Sequence, residues 1–168
     1  ASDLSAVLGT VFFCPEDLLL IRDGAAARRR FMDRALCQLR PRYEAALSEY
    51  TRAYEHKTRI LRDSEEYPGL LDTLPEFNER MARSGAVLIY YRARFCERLK
   101  EYALIAHREC SGGREELSLS YETVRTVTDP FAPPDTVYSQ LQQHQAEHDR
   151  AERMARMCLS GPHKDDIS

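Results

Sequence analysis

The residues of this chain best suited to chemistry are mostly cationic. Arg28, Arg29 and Arg30 stand in a row, with the acidic pair Glu16 and Asp17 before them and Asp33 just after. The surrounding pattern predicts a helix that opens near Asp23. A helix start is already electropositive, so cations there cost a few tenths of a kcal/mol, up to roughly 1. Two kinds of partner could offset that cost. Neighbouring carboxylates could pair with the arginines, Asp33 reaching Arg29 one turn back. Alternatively, an external anion could lie on arginine forks and the unpaired N–H groups of a first turn. DNA phosphate, a nucleotide phosphate or an acidic partner would each fit.

Other candidates are weaker. His144 and His148 are spaced i, i+4, which can set two imidazoles on one metal. Both fall on an apolar stripe with no Cys or His nearby in sequence as a third ligand, so helix packing is the expectation and no metal site is assigned. In SGPHKDD, Gly161 and Pro162 make a turn ahead of His163, Lys164, Asp165 and Asp166. Turn chemistry and a binding role both fit that run. No GxxxxGK[ST] phosphate loop occurs: the lysines are Lys57, Lys100 and Lys164, and none follows a glycine. Nor does an apolar run end in an acidic pair for Mg²⁺. The chain alone is therefore expected to lack nucleotide hydrolysis, and Cys14 beside Pro15 has no evident base to make it a nucleophile.

Long helices must position these groups. After an apolar, strand-like opening LSAVLGTVFF, closed by Pro15, the residues Phe31, Met32, Ala35, Leu36 and Leu39 fall at helical spacing. Asp23 is the expected cap, and Pro41 fits the first turn of the next helix. There Tyr43, Leu47, Tyr50, Tyr54 and Leu61 form a heptad seam, interrupted at Lys57 and Thr58. A break at EYPGLLDTLPEF precedes a second seam of Leu88, Tyr91, Phe95, Leu99 and Tyr102, in a helix that starts near Pro75. Two seams joined by a short break predict an antiparallel hairpin. Leu117, Leu119 and Tyr121 then alternate with polar residues, which predicts a short strand near 116–122. With Asp135 as its cap, a third long helix carries Val137, Leu141, His144, His148, Ala151, Ala155 and Cys158 on its seam, and Gly161-Pro162 ends it. The chain begins and stops in strand-like sequence, as an excised piece of a larger protein would.

Composition agrees with this reading. At 168 residues, 43% hydrophobic and 30% charged, the chain can bury a core and stay soluble. With only 7 glycines it favours helix. No apolar run approaches the ~20 residues of a membrane span, and no signal-peptide pattern opens the chain. Five scattered cysteines without a CxxC pair argue against zinc ribbons and redox motifs and for a reducing, cytoplasmic setting. The net charge of −3 hides an asymmetry. From Arg22 to Arg62 there are 11 Lys/Arg against 5 Asp/Glu, and from Glu101 to Ser168 there are 7 against 12. One basic and one acidic surface would produce that, as would mixed solvated helix faces.

Read in order, the motifs resemble a known family. VFFCPEDLLLIRDGAAARRRFMDRAL is similar to the V-x-F-x-P-E-D-L, basic pair and F-L-D of the RecF family, bacterial recombination and repair ATPases related to the SMC and ABC proteins. YEAALSEYTRAYEHKTRILRD resembles the helix that follows there, HRECSGGREELSLSYE the short strand region, and SGPHKDDI the G-P-H-[RK]-x-D return. The resemblance covers about residues 4 to 168. Ala25 stands where the family usually has proline, and Lys57-Thr58 where it usually has Arg-Asn.

The resemblance implies a fold that is mainly α: a helical hairpin plus a third long helix, with a small β element and strand-like ends belonging to an ABC-type ATPase head. It implies head sequence over 1–22, a helical lid or arm over 23–158 and a return to the head over 159–168. Pro15, Glu16 and Asp17 would flank the nucleotide site like a Q-loop, and Gly161, Pro162, His163, Lys164 and Asp166 would form the return motif. ATP and Mg²⁺ are implied for the full-length protein and no cofactor for this piece. DNA at single/double-strand junctions, RecR, RecO, an ATP-dependent homodimer and help in loading RecA are implied as partners and role, in the bacterial cytoplasm at the nucleoid. Arg28 and Arg29 match the family's basic pair. Local charge adds Arg30, Arg42, Lys57, Arg59 and Arg62 as expected DNA contacts. The rival reading is a structural or protein-interaction module whose arginines are paired by Glu16 and Asp17.

Overall fold

The computed structural model describes residues 20–159, with side chains through 151. Among these residues the protein is mainly helical, in four α-helices: α1 (Gly24–Leu39), α2 (Pro41–Asp63), α3 (Leu74–Ser111) and α4 (Pro134–Leu159). A 3₁₀ turn (Pro68–Thr73) joins α2 to α3. The strand-like ends, and with them Pro15, Glu16, Asp17, Gly161, Pro162, His163, Lys164 and Asp166, lie outside the described residues.

Local chemistry sets the breaks. The ring of Pro41 excludes helical backbone from the residue before it, and Arg40 is extended at φ −144°, ψ 95°. So α1 and α2 cannot be one helix. Pro75 occupies the first turn of α3, where its missing N–H costs nothing. At the far end Gly112 takes the left-handed conformation (φ +63°), and the Gly113 amide donates to the Arg108 carbonyl at 3.0 Å, closing the helix. Two expected caps differ. Asp23 makes no side-chain capping bond. Asp135 lies one residue inside α4, which opens at Pro134.

Helix α3 is the spine. Lys57 of α2 lies level with Asn78 and Tyr43 with Arg92, so α2 runs antiparallel to it, the expected hairpin. Asp149 of α4 lies beside Asn78 and Leu141 beside Gly85, so α4 is antiparallel to α3 as well. Gly85 allows the close approach: a Cβ there would meet Leu141 Cδ1 at 3.3 Å and Tyr50 Cε2 at 3.5 Å. One apolar cluster (Leu36, Tyr43, Leu88) joins α1, α2 and α3, with Phe31 against Phe95 at 6.5 Å between ring centres. Another (Ala82, Ala86, Ile89, Val127, Val137, Leu141) joins α3, α4 and the segment between them. Each large apolar side chain buried this way contributes about 1.5–3 kcal/mol.

The expected strand near 116–122 does not form. Leu117, Leu119 and Tyr121 do turn inward while Glu116, Ser118, Ser120 and Glu122 face solvent, so the period of two is real. The described residues hold no second extended segment to complete a ladder. The segment lies instead with Tyr121 and Val124 packed on the α3–α4 cluster. Gln140 fastens the end of this segment, accepting from the Thr128 amide at 3.3 Å and donating to its hydroxyl at 3.0 Å.

Lys57 corrects a second expectation. It interrupts the α2 seam in sequence yet is only 4% exposed. Its ammonium donates to Asn78 Oδ1 and Gln145 Oε1, both at 2.9 Å, and sits 2.6 Å from Asp149 Oδ1. Asp149 also takes a bond from Asn78 Nδ2. Two opposite charges and two amides from three helices therefore meet away from water, with Asp149 Oδ1 facing the ammonium as a charge contact without an aligned hydrogen bond. Removing one ion strands the other, a loss of about 3–5 kcal/mol, whereas apolar replacement of both is far milder. In urea denaturation Lys57→Met and Asp149→Leu should each lose about that much, and the double substitution less than either single one. Additive losses would show that the pair does not couple α2 to α4.

Candidate nucleic-acid interface

The cations expected to meet DNA belong to α1 and α2, and the structure separates them into three settings. Because α1 opens at Gly24, Arg28, Arg29 and Arg30 sit in its second turn, beyond the residues whose N–H groups lack helical partners. The site expected from arginine forks plus free amides is therefore not assembled. Arg28 Nη1 donates to the Ile21 carbonyl at 3.2 Å. All three arginines are exposed, as are Arg42 and Arg59. Arg29, Arg30, Arg42 and Arg59 make no hydrogen bond or ion pair with any described residue. The Asp33–Arg29 pair does not form, because Asp33 is engaged elsewhere.

That engagement is a second polar cluster, half-buried, which sequence reasoning missed. Arg92 donates to Asp33 Oδ1 through Nη2 at 2.7 Å and Nε at 3.1 Å, and Nε also lies 2.8 Å from the Tyr43 hydroxyl. Tyr43, fully buried, donates its proton to the same carboxylate oxygen. The cluster binds the middle of α1 and the start of α2 to the middle of α3. The one clue in the sequence is that Asp33, Tyr43 and Arg92 each stand beside or on an apolar seam. Glu49 makes a further, half-exposed link, accepting from Arg80 of α3 at 2.6 Å and Arg52 at 3.1 Å. The hydrogen bond from Arg80 holds its carboxyl below the usual value.

Lys57 is withdrawn from the surface by its ion pair, so it corrects the expectation of a DNA-facing lysine; its charge is already matched by Asp149. Arg62, paired with the adjacent Asp63 at 2.9 Å, lies elsewhere, on the rim of a cleft.

This cleft exists because α2 and α4 each pack on α3 and hardly on one another. It has two chambers of about 570 and 520 Å³ that share Tyr50, Met81, His144 and Gln145. Arg29 and Arg92 border the first chamber, Arg62 and Glu65 the second. Tyr54, His144 and His148 were expected on apolar seams; they form the cleft's walls instead, Tyr54 55% exposed and the two imidazoles 6.3 Å apart between ring centres. Among the described residues no group of three His, Cys, Asp or Glu is placed to hold a metal ion. Nor is any helix there long and apolar enough to cross a membrane.

Fold and charge together define a helical bundle: antiparallel helices pinned by one buried and one half-buried polar cluster, with exposed arginines on α1 and α2. Comparison with known sequences gives that bundle a family. The chain is 36% identical over 169 residues to the DNA replication and repair protein RecF of Agathobacter rectalis, covering 99% of this chain and 43% of the relative. It is 31% identical to the protein of that name from Lachnoclostridium phytofermentans, covering 100% and 44%. To that of a Synechococcus it is 30% identical, covering 99% and 44%. No family model matches the chain, and no solved structure does. The chain belongs to the RecF family, and it spans less than half the length of the curated relatives it matches.

The Tyr43 cluster has a pH signature. Burial first, then the Asp33 carboxylate, raise the Tyr43 pKa far above its ordinary ~10. A folded-state pKa above the unfolded one means that stability is complete below about pH 10 and is lost as pH rises through the folded value. Tyr43→Phe should make the alkaline fall in urea midpoint less steep. Part of the fall should remain, because burial also raises the Tyr50 and Tyr121 hydroxyls. An unchanged slope between about pH 10 and pH 11.5 would contradict the assignment.

Proposed function

We propose that this chain is the DNA-contacting arm of a RecF-type replication and repair protein, and that Arg28, Arg29, Arg30, Arg42, Arg59 and Arg62 meet phosphates. The match to RecF proteins along the whole chain carries this reading. It is supported by four of these arginines being exposed without any described partner. Arginine forks suit phosphate oxygens, and an arm braced by one buried and one half-buried ion pair holds them in fixed places. Arg42 and Arg59 lie on different turns of α2, so contact is spread along the helix and independent of base sequence.

At the level of the longer protein, the proposal extends to ATP and Mg²⁺ as cofactors, to RecO and RecR as partners in loading RecA, to an ATP-dependent homodimer and to preference for single/double-strand junctions. In that setting Pro15, Glu16 and Asp17 would flank the nucleotide site, and Gly161, Pro162, His163, Lys164 and Asp166 would carry the chain back to the head. The arm supplies none of that nucleotide chemistry.

A titration of the 168-residue chain against DNA across a salt series tests the phosphate contacts. Affinity should fall steeply with salt, and Arg28→Glu/Arg29→Glu should make the logarithmic slope shallower by about 2, one unit for each phosphate no longer neutralised. An unchanged slope removes these two residues from the interface. Absence of any salt-dependent affinity favours the structural-module reading instead.

A further inference from the structure

The cleft between α2 and α4 is lined unlike the outer face. Two aromatic pairs at i, i+4 spacing line it, Tyr50 and Tyr54 from α2 and His144 and His148 from α4. Cations stand at both ends, Arg29 and Arg92 at one and Arg62 at the other, and Glu65 is the lone carboxylate among its lining residues. Arg92 is committed to Asp33, and Arg62 is partly matched by Asp63, but Arg29 has no described partner. Thr51 and Thr58 add hydroxyls along the α2 wall.

We infer that this cleft holds a short stretch of single-stranded nucleic acid, phosphates toward the arginines and bases on the tyrosine and histidine rings. The inference rests on the DNA-binding reading above and adds to it a place and a strand form. Each chamber has the volume of a small-molecule pocket, too little for a duplex, whose paired bases also hide their faces. An unpaired strand offers a π face and a negative charge in every unit, which is what the walls and ends are built to receive. An acidic peptide would satisfy the arginines but leave the row of rings without partners. The outer arginines Arg42 and Arg59 would still meet duplex backbone, so arm and cleft together would read the two sides of a junction.

Binding of the 168-residue chain to oligo(dT) and to a blunt duplex of equal length, at one low salt concentration, tests this. Tyr54→Ala should weaken oligo(dT) binding about 5- to 100-fold, the effect of losing one base–aromatic stack, and leave duplex binding unchanged. Tyr54→Phe should restore it, since the ring and not the hydroxyl is the platform. The chain has 9 tyrosines and no tryptophan, so oligo(dT) should also quench its intrinsic fluorescence, less so in Tyr54→Ala. An unaltered oligo(dT) affinity in Tyr54→Ala overturns the inference, as does polyglutamate competing as well as oligo(dT). Duplex binding without oligo(dT) binding removes the cleft site and leaves the DNA reading standing. Loss of both removes both.

Discussion

An ammonium and a carboxylate buried side by side each give up several kcal/mol of hydration, and only tight geometry with every remaining donor and acceptor occupied offsets that. Lys57 and Asp149 approach that condition at one relative placement of three helices, with Asp149 Oδ1 held by the ammonium's charge at 2.6 Å and not by an aligned hydrogen bond. Asn78 of α3 bridges the two charges, and Gln145, one turn before Asp149, takes another of the lysine's hydrogens. Sliding α4 by one turn toward its own C-terminus would bring Gln145 or Ala146 to Lys57 in place of a charge partner. The close seating of Leu141 over Gly85 agrees with the same placement. The ion pair and the Leu141–Gly85 contact together hold α4 at this register, and with it the breadth of the cleft above.

The Asp33–Tyr43–Arg92 cluster does a related job at the other end. Chain direction is interrupted at Arg40, where Pro41 excludes helical backbone, so nothing covalent fixes the angle between α1 and α2 beyond that one extended residue. A carboxylate from α1, a phenol from α2 and a guanidinium from α3 converge within hydrogen-bond distance and fix it. The two clusters pin the spine at Asn78 and Arg92, about four turns apart. Between them Gly85 lets Tyr50 and Leu141 approach the helix backbone. A bundle held at two polar points with a narrow waist keeps α2 and α4 on α3 while leaving a gap between them.

The hairpin and the third helix were legible because period, proline and glycine all agreed: Pro41, Pro75 and Gly112 stand at helix ends, and Tyr43, Leu88, Val137 and Leu141 are buried as their spacing required. The strand near 116–122 was misread for a physical reason. Alternation reports that one face of an extended segment is covered, but covering by a helix gives the same pattern as covering by a sheet. The seams failed where they carried polar or wide residues. On α4 the buried stripe runs Val137, Leu141, Gln145, Asp149, and the sequence reading followed His144 and His148 one residue earlier, since an imidazole looks more apolar than a carboxylate. Only the existence of Lys57 as a partner makes Asp149 a core residue, and a contact 92 positions away leaves no local trace.

The same fact reshapes the basic surface. Counting charge from Arg22 to Arg62 treats every cation as available, yet availability is decided by which carboxylates the fold brings within reach. Asp149, from the acidic end of the chain, neutralises Lys57, and Asp33, the expected partner of Arg29, is taken by Arg92 instead. Pairing Asp33 with the more buried guanidinium is the favoured outcome, because attraction between charges strengthens as water is excluded. The consequence is that Arg29 is left without a described partner at the mouth of the cleft. The row Arg28, Arg29, Arg30 thus ceases to be a problem of helix-end electrostatics. Among the described residues no carboxylate matches its charge, because Asp33 is held by Arg92.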